Sequence, residues 1–194
     1  CGWFSFRFVW CSPKDGDSIM EAIETIRIET DAASAVFDSM AGYKHLTLHY
    51  SAASNTTSGD TKSIFMYFND ISSADYEFFQ MYGRATSGSG FQSGSSNTRT
   101  GFLTTKQGSA GYNGGAPAQY GCGTILIPDY LHANKNIVCQ QLGGKSLPAD
   151  GRGQTSMTTG ILDSATALTK ITLLPETGSW LRGTVFTLYG LKSS

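Results

Sequence analysis

From Tyr43 onward the sequence is a succession of short apolar or alternating stretches, each closed by Gly, Pro, Asn or Asp. "YKHLTLHY" sets Leu46, Leu48 and Tyr50 on one parity and His45, Thr47 and His49 on the other. That two-residue period belongs to a half-buried strand. "SIFMYF" and "YEFFQMY" are apolar on both parities, and "GTILIPDY" is a buried run stopped by Pro128. "NIVCQQ", "TSMTTGIL", "KITLLP" and the closing "TVFTLYGL" follow in the same manner. Roughly ten short strands at this spacing predict an all-β sandwich, and the 23 glycines suit its many turns.

At 194 residues the chain fits one domain with a short appendage and is long enough to bury a core. Charged residues make up 15 % and the net charge is −1, so no basic field exists for nucleic acid or an anionic membrane. No apolar run approaches the ~20 residues of a membrane helix. No leader with a basic start and an apolar centre is legible. The first residue is Cys1 rather than Met, which leaves the true start of the chain open. A lipidated cysteine is disfavoured by the "GWFSFRFVW" that follows it, which is not a polar tether. Cys1, Cys11, Cys122 and Cys139 have no CxxC metal spacing, and free thiols are the expectation, with Cys122 and Cys139 in buried strands.

Two regions are expected, an arm over residues 1–17 and a β-sandwich domain over 18–194. The arm places Phe4, Phe6, Phe8 and Trp10 on one parity, with Trp3 beside them, and "SPKDGDS" separates it from the domain. In "SIMEAIETIRIET" local pattern is divided. Ser18 and Glu21 have capping-box spacing, whereas "ETIRI" alternates β-branched and polar residues. "RATSGSGFQSGSSNTRTG" and "KQGSAGYNGGAPAQYG" read as loops. In this region Tyr82, Phe91, Tyr112 and Tyr120 are candidate ligand-facing rings, set among Ser, Asn and Gly.

Little in the sequence supports catalysis. On a strand His45 and His49 lie about 13 Å apart at ~3.3 Å per residue, too far to share a metal ion. "KDGDS" and "FNDISSAD" do not complete a calcium loop, and Asp and Asn serve turns equally well. No nucleophile elbow, phosphate loop or dinucleotide fingerprint occurs. Residues 78–128 contain no Asp or Glu, so an acid pair for sugar hydrolysis has few sources there. The expectation is a protein without catalytic centre, metal or cofactor.

Four pieces in order resemble a family of tailed-bacteriophage virion proteins with jelly-roll domains. They are "EAIETIRIETDAASAVFDSMAGYKHLTLHYSA", "FMYFND…ADYEFFQMYG", "ILIPDY" and "ALTKITLLPETGSWLRGTVFTLYGLK". The resemblance covers about residues 20–192 and implies a jelly roll with a strand over 22–29. It further implies a non-enzymatic component of the virion surface, assembled in the host cytoplasm, as capsid decoration or as a small tail or fibre part. Its expected partners are other virion proteins and copies of itself, most simply in a homotrimer. A carbohydrate-binding adhesin for host surface glycans is the alternative. In such a fold the closing strand points Phe186 and Leu188 inward, so Val185, Tyr189 and Leu191 need another cover. A neighbouring subunit is the expected cover, with the arm as the alternative.

Overall fold

The computed structural model describes residues 20–56, 62–72, 76–84, 88–95, 102–109, 120–145 and 153–192. The arm, with Trp3, Phe4, Phe6, Phe8 and Trp10, lies outside the described residues. Twelve strands are present: β1 (Met20–Arg27), β2 (Ala35–Phe37), β3 (His45–Ser54), β4 (Lys62–Phe68), β5 (Tyr76–Arg84), β6 (Gly88–Ser95), β7 (Phe102–Ser109), β8 (Gly121–Ile127), β9 (Asn136–Lys145), β10 (Gln154–Ala165), β11 (Ile171–Pro175) and β12 (Val185–Leu191). No helix occurs among the described residues.

The strands form two antiparallel sheets packed as a sandwich. The larger runs β1-β12-β3-β8-β9-β10-β5-β6 and the smaller β2-β11-β4-β7. Between them one short parallel contact joins Ala53 to Gly108 and Ser54 to Ser109. The alternation legible in "YKHLTLHY" sets the packing, since Leu46, Leu48 and Tyr50 are buried between the sheets. They meet Phe186 and Leu188 of β12 and Ile125 and Ile127 of β8. The smaller sheet contributes Phe37, Ile64, Met66, Phe68, Ile171 and Leu173 to the same cluster.

The divided reading of "SIMEAIETIRIET" resolves as a strand. β1 lies along β12 and pairs Ile26 with Phe186, with a bulge between Ala22 and Glu24. A helix would satisfy its own backbone but leave the β12 edge open, so the ladder outweighs the capping-box signal. The glycine-rich stretch read as a loop contains β6, and β7 begins just after it. β6 runs antiparallel to β5 over eight register pairs, from Glu77↔Ser95 to Arg84↔Gly88. Ser and Gly have low strand preference, but the ladder uses only backbone groups, and β5 supplies a ready edge.

The turn after β4 carries two consecutive positive φ angles, 53° at Asn69 and 57° at Asp70, a conformation Asn and Asp tolerate. Asn69 Oδ1 accepts from the Thr169 amide at 2.8 Å, the Thr169 hydroxyl at 3.1 Å and the Lys170 amide at 3.1 Å. Its Nδ2 donates to the Ala167 carbonyl at 2.8 Å. One amide side chain thus ties the β4 turn to the segment entering β11. Asn69→Ala is expected to cost about 1–3 kcal/mol in urea denaturation, because it strands several of these groups and empties a left-handed site of its preferred residue. Asn69→Asp should lose less, since it keeps the acceptor.

Candidate functional site

Two surfaces stand out, and they lie on different parts of the larger sheet. The first is the outer face of β8, β9, β10 and β5. Register places Met81 opposite Met157, and Met157 opposite Leu142. One row along, Phe79 faces Thr159, Thr159 faces Gln140, and Gln140 faces Leu126. Ile161 and Val138 form the next pair. Leu142 is 60 % exposed, Phe79 47 % and Met157 38 %, so these large apolar side chains stand in solvent on regular strands.

The inward face of β5, β9 and β10 is apolar at one end, with Tyr76, Phe78, Ile137, Cys139 and Leu162, and polar at the other. Gln80 of β5, Gln141 and Lys145 of β9, and Gln154, Ser156 and Thr158 of β10 are all buried. Gln141 Nε2 donates to the Tyr50 hydroxyl at 2.9 Å, and burial pushes that phenol well above the ordinary tyrosine range. A sandwich strand normally turns its apolar parity inward and its polar parity to water. At the polar end of these three strands that order is reversed.

The predicted residues of the closing strand lie on the same outer face, nearer its other edge. Val185, Tyr189 and Leu191 are each half-buried, flanked in register by Arg27 and Ser51, Ala22 and Thr47, and Met20 and His45. The Tyr189 ring stacks obliquely on His49 with centroids 5.1 Å apart. Cys139 is buried and its thiol is pushed up to about 12 by burial, whereas Cys122, expected in a buried position, is exposed; both are free thiols. Parity explains the difference, because Cys122 falls on the outward positions of β8.

Two of the candidate loop rings lie in strands. Tyr82 lies in β5 on the inward parity, opposite Ser156, and is half-buried. Phe91 lies in β6, opposite Met81 in the register. Both belong to strands because backbone pairing extends past the point where apolar alternation stops. Tyr120 precedes β8 and donates its hydroxyl to the Arg182 carbonyl at 2.5 Å. A methyl group on Gly183 would come within 2.8 Å of that hydroxyl, so Tyr120 braces the turn into β12. Tyr112 lies outside the described residues.

The second surface is a groove of about 620 Å³ at one end of β3 and β8, lined by Tyr43, Lys44, Asp129, Leu131, His132 and Lys192, among others. Two connections build it, the one leading into β3 and the turn leaving β8. Gly42 has φ 95° and Asp129 φ 51°, and these left-handed residues turn the chain sharply at both walls. The Asp129 amide donates to His45 Nδ1 at 3.0 Å, and the Tyr130 hydroxyl donates to the Met40 carbonyl. The walls are therefore bonded to each other. This bond makes His45 Nδ1 an acceptor and leaves the ring proton of the neutral form on Nε2.

Charges in the groove are largely paired. Lys192 Nζ donates to Glu21 Oε1 at 2.6 Å and the Tyr43 hydroxyl to Glu21 Oε2 at 3.1 Å. Lys192 and then Tyr43 hold the Glu21 carboxyl below the usual range, and the carboxylate in turn raises the Tyr43 phenol. Asp129 is ion-paired with Lys135 and has His132 Nε2 at 3.8 Å from Oδ2. The Lys135 bond is the main reason its carboxyl stays ionised below the ordinary range. Lys44 is exposed and has no ion-pair partner among the described residues. The Tyr43 ring lies directly on Gly190, where a methyl group would come within 2.2–2.5 Å of three ring carbons.

The sequence carried part of this. "YEFFQMY" is apolar on both parities, which signals a second apolar face, but Leu142 and Met157 lie in stretches that read as ordinary alternation. Lys44, Asp129 and His132 share no motif and meet only because β3 and β8 are neighbours. No group of three or more His, Cys, Asp or Glu able to hold a metal ion occurs among the described residues. No protein family, curated protein or solved structure matches this chain.

Proposed function

We propose that the chain is a non-enzymatic structural protein of a bacteriophage particle surface, a jelly roll that assembles with copies of itself through the outer face of β5, β9 and β10. The reversed polarity of those strands carries this reading. A sheet edge that buries glutamine, serine and threonine while exposing leucine, methionine and phenylalanine is costly for a lone subunit and sensible for one with a partner.

Strand order supports the jelly-roll part. Within the larger sheet β1-β12-β3-β8 brings the last strand between the first and third, and the smaller sheet runs β2-β11-β4-β7. Two interlocked Greek keys of eight strands have this arrangement. β5–β6 and β9–β10 are then insertions that extend the first sheet beyond β8. Most of the exposed apolar side chains, Phe79, Met81, Val138, Leu142 and Met157, belong to these insertions. The frame strands β3, β12 and β1 carry Thr47, His49, Thr187 and Thr25 on that side, with the half-buried Tyr189 among them.

A homo-oligomer, most simply a trimer, is expected at low micromolar concentration by multi-angle light scattering. The double substitution Leu142→Glu, Met157→Glu should shift it to monomer, since two buried carboxylates facing an apolar partner are strongly disfavoured. Both side chains point outward, so the circular dichroism and melting temperature of the mutant monomer should stay near those of wild type. A wild type that is monomeric at these concentrations sinks the self-association reading. Quantitative mass spectrometry of purified particles tests the virion assignment separately. Hundreds of copies mean capsid decoration, a few dozen or fewer a tail or fibre component, and none refutes it.

A further inference from the structure

We propose that the groove between the β3 entry and the β8 exit binds the carboxylate-bearing unit of an acidic saccharide, a uronate or similar sugar acid. The groove lies on the eight-strand frame, away from the appended strands, and the inference does not depend on self-association.

Each part of a sugar acid finds a complement here. Lys44 is an exposed ammonium without an ion-pair partner among the described residues, at the mouth of a groove whose other charges are satisfied. Its charge acts on Asp129 from a distance, but it forms no ion pair there and is open to a carboxylate. Asp129 is held in place by Lys135 and by its amide bond to His45, so its remaining acceptor capacity is preset for sugar hydroxyls. His132, 61 % exposed, stands beside it as a second polar partner. The Tyr43 ring, seated on Gly190, and the half-exposed Leu131 supply apolar surface for the C–H face of a pyranose.

The charge balance narrows the ligand further. Glu21 and Asp129 are each paired with a lysine, so Lys44 is one cation in excess, matched to a single carboxylate and not to the serial charges of a polyphosphate. A carboxylate placed at Lys44 leaves the hydroxyls of the same sugar to face Asp129. The walls are tied together before any ligand arrives, which reduces the ordering cost of binding. One exposed lysine adds little by itself. The affinity expected for one sugar unit is therefore on the order of millimolar.

The experiment is a titration of ¹⁵N-labelled protein with sodium D-glucuronate, with D-glucose and sodium acetate as controls at equal ionic strength. Saturable amide shifts confined to residues 42–44, 129–133 and 190–192 are expected with glucuronate. Glucose and acetate should each bind on the order of tenfold more weakly, and so should glucuronate to Lys44→Met. Lys44→Met keeps the aliphatic stem at an exposed position, so an unchanged melting temperature and spectrum elsewhere confirm that it folds. Three outcomes each overturn the proposal: no shifts at tens of millimolar glucuronate, equal shifts with acetate or glucose, or undiminished binding by Lys44→Met.

Discussion

Replacing Trp180 with alanine is expected to lower the stability of the domain by about 3–5 kcal/mol, the range for deleting a fully enclosed large aromatic. Trp180 is 0 % exposed and lies in the connection between β11 and β12. Its ring meets Phe186 of the larger sheet edge-on, with centroids 5.0 Å apart, and its Nε1 donates to the Leu173 carbonyl of the smaller sheet at 3.0 Å. Its backbone pairs with Ala32 in both directions, at 2.7 and 3.2 Å. One residue thus closes the space between the sheets and bonds to both. Truncation leaves a cavity lined by Phe186 and a buried carbonyl without its donor, two costs of the same sign. Trp180→Phe keeps most of the ring and loses the donor, so its penalty should be smaller, about 1–2 kcal/mol. Chemical denaturation of the three proteins checks this order; an alanine variant within 1 kcal/mol of wild type, roughly the scatter of surface substitutions, refutes it.

Gly190→Ala is expected to destabilise by about 1–3 kcal/mol, although alanine suits a strand better than glycine. The added methyl would fall 2.2 Å from Cγ of Tyr43 and 2.3 and 2.5 Å from its two Cδ atoms. No small relaxation accommodates that overlap, so the ring must leave Gly190 and its hydroxyl must give up Glu21. Both the β1 edge and one wall of the groove loosen together. The test is a double-mutant cycle. In a Tyr43→Ala background the obstacle is gone, and Gly190→Ala should become neutral or slightly stabilising. A penalty of equal size in both backgrounds would place its cause in the backbone of β12 and not in the ring. The same variant should also weaken glucuronate binding, which links a strand glycine to the groove.

What the sequence determined by itself was the all-β class of the fold and the positions of many of its strands. Alternation in "YKHLTLHY" assigned Leu46 and Leu48 to the interior, because a strand has only two faces and burial selects the apolar one, whereas "TVFTLYGL", apolar on both parities, left its buried face open. Turn residues such as Asn69 and Asp129 marked where strands stop, since few side chains tolerate a left-handed backbone. Tertiary structure decided the rest. Whether residues 20–27 became helix or strand depended on the free edge of β12, a partner more than 150 residues away. The glycine-rich β6 exists because β5 offers it a ladder, and no side-chain pattern records backbone pairing. The reversed polarity of β9 and β10 could not be read locally either, because alternation reports two faces without saying which one meets the opposite sheet. The groove is likewise a product of adjacency. Lys44 and Asp129 are far apart in the chain and meet because β3 and β8 pair antiparallel, Leu46 opposite Ile127, which brings the start of one strand to the end of the other.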